Sequence, residues 1–189
     1  VFFILVLLGS IATPVYATRY IEVTKEVNVK KELLAKSLAD LKSYKEIFPT
    51  LIKSVKIDPA TNRAKFVIEA SGTHEADVKS SIQPDGSFVV EILSGDLKGT
   101  KIITTLKERI GFDGTPKGAT TVKTKLMLET SFWISLALSF VGDSEIKNAV
   151  GDGFYDLGEY VKVQYPQETI KNTPKLEAAK ALEPAKEAI

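Results

Sequence analysis

Read for the alternation of apolar and polar residues, the chain divides into a run of strands framed by helices. From Tyr20 to Val27, Ile21, Val23 and Val27 share one parity, and Glu22, Thr24 and Glu26 share the other. That is a strand with one dry face, broken only by Lys25. Asn28 is placed to cap a helix through its side-chain oxygen. Leu33, Leu34, Ser37, Leu38 and Leu41 then recur at helical spacing. Asp40 is placed to cap a second short helix carrying Leu41, Tyr44, Ile47 and Phe48, which Pro49 ends.

Six further strands are expected. They run Leu51–Ile57, Arg63–Gly72, Thr73–Ile82, Ser87–Leu93, Thr100–Phe112 and Thr120–Thr130. Ala64, Phe66, Ile68 and Ala70 share a face in the second of these, and Ala76, Val78 and Ile82 in the third. In the fifth, Ile102, Thr104, Leu106 and Ile110 oppose Lys101, Thr105, Lys107 and Arg109. In the last, Val122, Leu126 and Leu128 oppose Thr121, Lys123, Lys125 and Glu129. Asp58 to Asn62 is a turn, and so is Pro84-Asp85-Gly86, where proline presets one dihedral and glycine accepts positive φ.

One wet and one dry face per strand suits an antiparallel sheet, and the dry face requires a cover. Asp143–Val163 supplies it. Ile146, Val150, Phe154, Leu157 and Val161 form an apolar helical stripe, with Asp143 or Ser144 as the cap. The expected architecture is α+β. A curved antiparallel sheet of about seven strands carries two short helices after its first strand and a long C-terminal helix across it. Gly151 to Gly158 imitates a glycine-rich phosphate loop, but it lies inside the helical stripe, so no dinucleotide site is expected. Each glycine costs the helix about 1 kcal/mol relative to alanine. Close approach to the sheet, a bend, or space left for a ligand would each account for them.

Residues 1–12 are apolar, and no charge precedes Arg19. Val15 and Ala17 stand at the −3 and −1 positions of a cut before Thr18. The apolar run is shorter than the roughly 20 residues of a spanning helix. Residues 1–17 are therefore expected to be a signal peptide or N-terminal membrane anchor, with a buried strand or helix as the alternative. Residues 18–165 form the domain. Residues 166–189 are expected to be a disordered tail, because Pro166, Pro174 and Pro184 interrupt a stretch rich in Ala, Glu and Lys. Both leader forms put the domain outside the cytoplasm, secreted or anchored.

Composition removes several functions. Lys plus Arg number 25 and Asp plus Glu 24, so no basic excess draws in nucleic acid. The absence of cysteine excludes disulfides, thiolate metal sites and a cysteine nucleophile. A single histidine without metal-spaced neighbours indicates neither a metal site nor a Ser-His-Asp triad, and no cofactor is indicated.

The order of elements, the opening strand Glu22-Val-Thr-Lys-Glu-Val27, and Leu38-Ala-Asp-Leu-Lys-Ser-Tyr44 through Phe48-Pro49 together resemble the helix-grip fold of the START-like (SRPBCC) superfamily. That superfamily includes polyketide cyclase-like and coenzyme Q-binding START-domain proteins. The resemblance spans about Tyr20 to Tyr165, with no active-site motif to carry over. It implies a hydrophobic small-molecule ligand (lipid, quinone, isoprenoid or polycyclic) held between sheet and last helix. Phe66, Ile68, Leu106, Leu126, Leu128, Gly153, Phe154 and Leu157 are the candidate wall residues. A membrane surface or an envelope protein is a further candidate partner.

Catalytic candidates are weak. His74 shares parity with Ala76 and Val78 and could serve as acid, base or anchor, or simply sit at the strand's rim. Glu108 shares parity with Leu106 and Ile110, as either a buried acid or a solvated strand-end residue. Phe132–Val141 is an apolar run too short to span a membrane. It reads as a buried segment or a membrane-touching lip. A carrier domain is the primary expectation. A cyclase or hydratase using the same cavity, and a ligand-free structural subunit of an envelope complex, are its rivals.

Overall fold

A computed structural model of the chain describes residues 17–69, 72–130 and 142–166. The expected leader apart from Ala17, the Phe132–Val141 run and the tail after Pro166 lie outside those residues. Strand β1 (Ala17–Val27) leads to α1 (Lys31–Ala39), a 3-10 turn (Leu41–Ser43) and α2 (Tyr44–Ile47). Six strands follow: β2 (Ile52–Asp58), β3 (Arg63–Glu69), β4 (Thr73–Ile82), β5 (Phe88–Ile92), β6 (Lys101–Ile110) and β7 (Pro116–Thr130). The last described helix is α3 (Asp143–Gln164).

Strands β2 to β7 are a meander of antiparallel hairpins, and β1 closes onto β7, giving the order β1-β7-β6-β5-β4-β3-β2. The short helices therefore carry the chain from one edge of the sheet to the other. Three hairpin turns share one device. Asp58 accepts the Thr61 hydroxyl at 2.6 Å, Asp85 the Ser87 hydroxyl at 2.6 Å, and Asp113 the Thr115 hydroxyl at 2.7 Å. Each carboxylate also accepts a backbone N–H of its own turn. These bonds favour the charged form, so all three carboxyls sit below their ordinary pKa, with the side-chain bond as the largest cause.

The register sorts the two faces. Ala76 and Val78 of β4, Ile102 to Leu106 by alternation in β6, and Val122 to Leu128 in β7 point to the helix side. The other face carries cross-strand ion pairs: Lys53–Glu69 at 3.1 Å, Lys65–Glu75 at 3.3 Å, Lys101–Glu91 at 3.5 Å and Lys123–Glu22 at 2.5 Å. Such exposed pairs contribute at most about 1 kcal/mol each. They mark this face as wet.

Several expectations need correction. Asn28 does not cap α1. Val29 is anchored first, with its N–H bonded to the Val27 carbonyl and its own carbonyl accepting the Thr120 hydroxyl at 2.7 Å. The helix is thereby postponed to Lys31, with Lys30 as an N-cap lacking a side-chain bond. Neither Asp143 nor Ser144 caps α3, whose N-cap is Gly142. Asp143 is engaged by Arg19, and the Ser144 hydroxyl donates to Glu145 Oε2 at 2.9 Å. Asp40 does accept from the Lys42 N–H, at 3.1 Å, but it opens the 3-10 turn ahead of α2. Ile82 and Ile110 have the inward parity yet are 62% and 52% exposed, each as the last residue of its strand.

Candidate ligand site on the concave face

Helix α3 packs chiefly on β1, α1 and α2. Two glycines face β1 along that approach. A Cβ at Gly158 would lie 2.8 Å from Val27 Cγ1, and one at Gly151 would lie 2.5 Å from Lys25 Cε. The glycines are seven positions apart, so both fall on the helix face that lies against β1. The Lys25 that breaks the strand's parity thus runs beneath a helix position left open for its stem.

The core forms three clusters. Val27, Leu33, Leu34, Leu106, Phe154 and Leu157 belong to the first, under α1 and α3. Leu41, Ile52, Phe66 and Val78 belong to the second, near the 3-10 turn. Ile21, Val23, Leu126 and Leu128 form the third. Between them runs a strip of apolar side chains that are only half-buried: Val90 and Ile92 of β5 and Ile102 of β6. Beside this strip, a hollow of about 250 Å³ opens between Leu38 and Ala39 of α1 and Ser80, Ile82, Phe88 and Val90 of the β4–β5 hairpin.

A polar feature lies on the same face. Thr104 and Thr124 are 5% and 1% exposed, and their hydroxyl oxygens are 3.0 Å apart. Two hydroxyls bonded to each other use one of their two protons. The neighbouring buried threonines are occupied otherwise: Thr120 donates to Val29, and Thr100 bridges the Glu129 backbone.

The candidate wall residues separate among the clusters. Phe66 is buried in the second, with Ile68 packed half-exposed against it. Leu106, Phe154 and Leu157 lie in the first, and Leu126 and Leu128 in the third. Gly153 faces the Phe48 ring, whose Cε1 would be 3.2 Å from an added Cβ. It lines an outer groove and not the hollow. Sequence reasoning missed Phe88, Val90 and Ile92, which share the inward parity of β5, because no face was assigned to that strand. It also missed Leu38 as a lining residue, although the helical spacing had picked it out.

His74 sits half-exposed at the start of β4, its Nδ1 3.9 Å from Asp96 Oδ2. Glu108 is half-buried near the far end of β6, opposite Thr120. The register puts Ile82 level with Phe88 and Phe88 level with Thr104. His74 is therefore level with position 96, twelve residues from Glu108, or roughly 40 Å along the sheet. The two cannot act on one bond. Among the described residues, no cluster of three metal-ligating side chains exists.

An antiparallel meander whose first strand returns to its last, gripped by the last described helix over an apolar concave face, is the helix-grip fold. No family model and no curated protein matches the chain by sequence. Solved structures match the fold. A protein of Thermus thermophilus is 15% identical with a TM-score of 0.61, covering 77% of this chain and 99% of its own. A START superfamily protein from Mycobacterium smegmatis is 14% identical at 0.54, covering 78% and 97%. Truncated norcoclaurine synthase from Thalictrum flavum is 11% identical at 0.57, covering 80% and 98%. The chain has the START-like fold, and at these identities the likeness is one of fold.

Proposed function

We propose that the domain binds or carries a hydrophobic small molecule on its concave face. The carrying observation is the half-buried strip Val90, Ile92 and Ile102, which opens at one end into the hollow under α1. A well-packed core would fill such a strip, whereas a ligand site leaves apolar surface unclosed and recovers its burial on binding. The hollow alone is smaller than the ~300 Å³ at which drug-sized sites begin, so it suits one end of a ligand lying along the strip. One matched structure of this fold is named a synthase, and an enzyme is accordingly kept as the rival reading.

The enzyme alternative uses His74 or Glu108 singly in the same cavity, because the two lie too far apart along the sheet to act together. Extracytoplasmic placement rests on the apolar stretch before Thr18. N-terminal sequencing of membrane and soluble fractions tests it, and a cytoplasmic product retaining residues 1–17 overturns it.

Organic extraction and mass spectrometry of natively purified protein test the ligand. Wild type is expected to release a hydrophobic molecule in near-stoichiometric amount. Val90→Trp, which fills the strip, is expected to release little while keeping its fold. Protein that carries no ligand and takes up no fluorescent apolar probe overturns the proposal. Turnover of a START-type substrate that His74→Ala abolishes in folded protein would favour the enzyme.

A further inference from the structure

On the outer side of the molecule, away from the concave face, a groove of about 690 Å³ runs between the α2–β2 corner and α3. Its floor is apolar: Phe48, Pro49, Leu51, Gly153 and Val163. Leu51 is 42% exposed and Val163 76%, large apolar side chains left at the surface on both walls. Gly153 keeps the floor low, since any side chain there would press on the Phe48 ring.

The rim has one sign. Glu46 stands on one wall and Asp152, Asp156 and Glu159 on the other, and among the described residues no lysine or arginine lines the groove. Glu159 is paired with Lys162 at 2.7 Å. Among the described residues, Glu46, Asp152 and Asp156 make no ion pair. On α3, Asp152 and Asp156 are four positions apart, and Asp156 and Glu159 three. Like charges at these spacings destabilise a helix. The wet face of the sheet is built differently: it alternates sign and pairs its charges across strands. The field is felt locally: the Tyr160 phenol is held above its ordinary pKa by burial first and then by the Glu46 charge.

We propose that this groove docks a basic amphipathic segment of a partner protein, with its leucine-type side chains on the Phe48–Gly153 floor and its lysines or arginines against Glu46, Asp152 and Asp156. Apolar contact supplies the burial, and the one-signed rim supplies orientation and rapid association. A cationic segment also relieves the like-charge row on α3. The proposal is independent of the concave-face ligand.

The test uses the full chain and a 15-residue Leu/Lys amphipathic peptide, with a Leu/Glu peptide of the same apolar pattern as control. Affinity is read by fluorescence anisotropy, and thermal unfolding serves as the fold check. The Leu/Lys peptide is expected to bind and the Leu/Glu peptide not. Asp152→Asn with Asp156→Asn should weaken binding roughly tenfold while leaving the unfolding temperature unchanged or slightly raised. Leu51→Ser with Val163→Ser, at unchanged charge, should weaken it by a similar factor. Two results overturn the proposal. One is no binding of the Leu/Lys peptide at about 100 μM, an affinity weaker than roughly −5.5 kcal/mol. The other is binding that the apolar pair of substitutions leaves untouched, which means diffuse attraction to an acidic surface and no groove.

Discussion

Replacing Gly158 with alanine sets two known effects against each other at one carbon atom. A glycine inside a helix costs about 1 kcal/mol relative to alanine, so the substitution gains that much in helix propensity. The new methyl would sit 2.8 Å from Val27 Cγ1, well inside contact distance. Val27 is 7% exposed and belongs to the cluster under α3. Its branched side chain has few alternative rotamers, and its strand is held along its length by β7. Overpacking of this kind costs about 1–3 kcal/mol. The net expectation is a loss of up to about 2 kcal/mol. Gly151 provides the control on the same helix. An alanine there meets Lys25 Cε at 2.5 Å, but that is the far end of a flexible, exposed side chain that can swing into water. Propensity then wins, and Gly151→Ala should be stabilised by up to about 1 kcal/mol. Urea unfolding of the two variants measures the difference, with unchanged m-values as the condition for comparing midpoints. Adding Val27→Ala should cost Gly158→Ala less than it costs wild type, because the alanine makes room for the methyl. Equal stabilisation of both glycine variants would refute the idea that Gly158 is there to let the helix reach β1.

Three further outcomes follow from the packing and the titrating groups. Leu157 is 2% exposed, so Leu157→Ala should lose about 2–5 kcal/mol in denaturant unfolding, and a loss below about 1 kcal/mol would mean that α3 does not cover this cluster. Tyr44 donates its hydroxyl to the Leu38 carbonyl at 3.2 Å, and burial pushes its pKa from 10 to about 12. Because the folded value lies above the unfolded one, stability is intact below pH 10 and falls by up to about 3 kcal/mol as pH rises to 12. Tyr44→Phe should remove that fall in alkaline unfolding curves. The carboxyls of Asp58, Asp85 and Asp113 have lowered values, so the opposite sign applies. Their contribution is present above about pH 3.8 and is lost as pH falls through the folded values, and replacing all three with asparagine should flatten the acid limb of stability against pH.

Much of the fold was legible from side-chain parity, because a sheet with one dry face forces a period of two along every strand that lines it. The inward residues of β6 and β7, the stripe of α3 and the Asp-containing turns needed nothing beyond local sequence. Where two uses of one residue compete, tertiary contacts decided. Asp143 could cap a helix or meet a cation, and the arrival of Arg19 from β1 settled it. Asn28 could cap α1, but Val29, anchored by the hydroxyl of a residue 91 positions away, delayed the helix. Lys25 and Gly151 each look like a local fault, and only the crossing of α3 over β1 shows that they make room for each other. The candidate site was the least legible part. Parity says which face a side chain takes, while whether that face is filled or left open depends on where the helices land. Here α3 lands on β1 and leaves Val90, Ile92 and Ile102 half-covered, a consequence of helix placement that no periodicity along a single strand records.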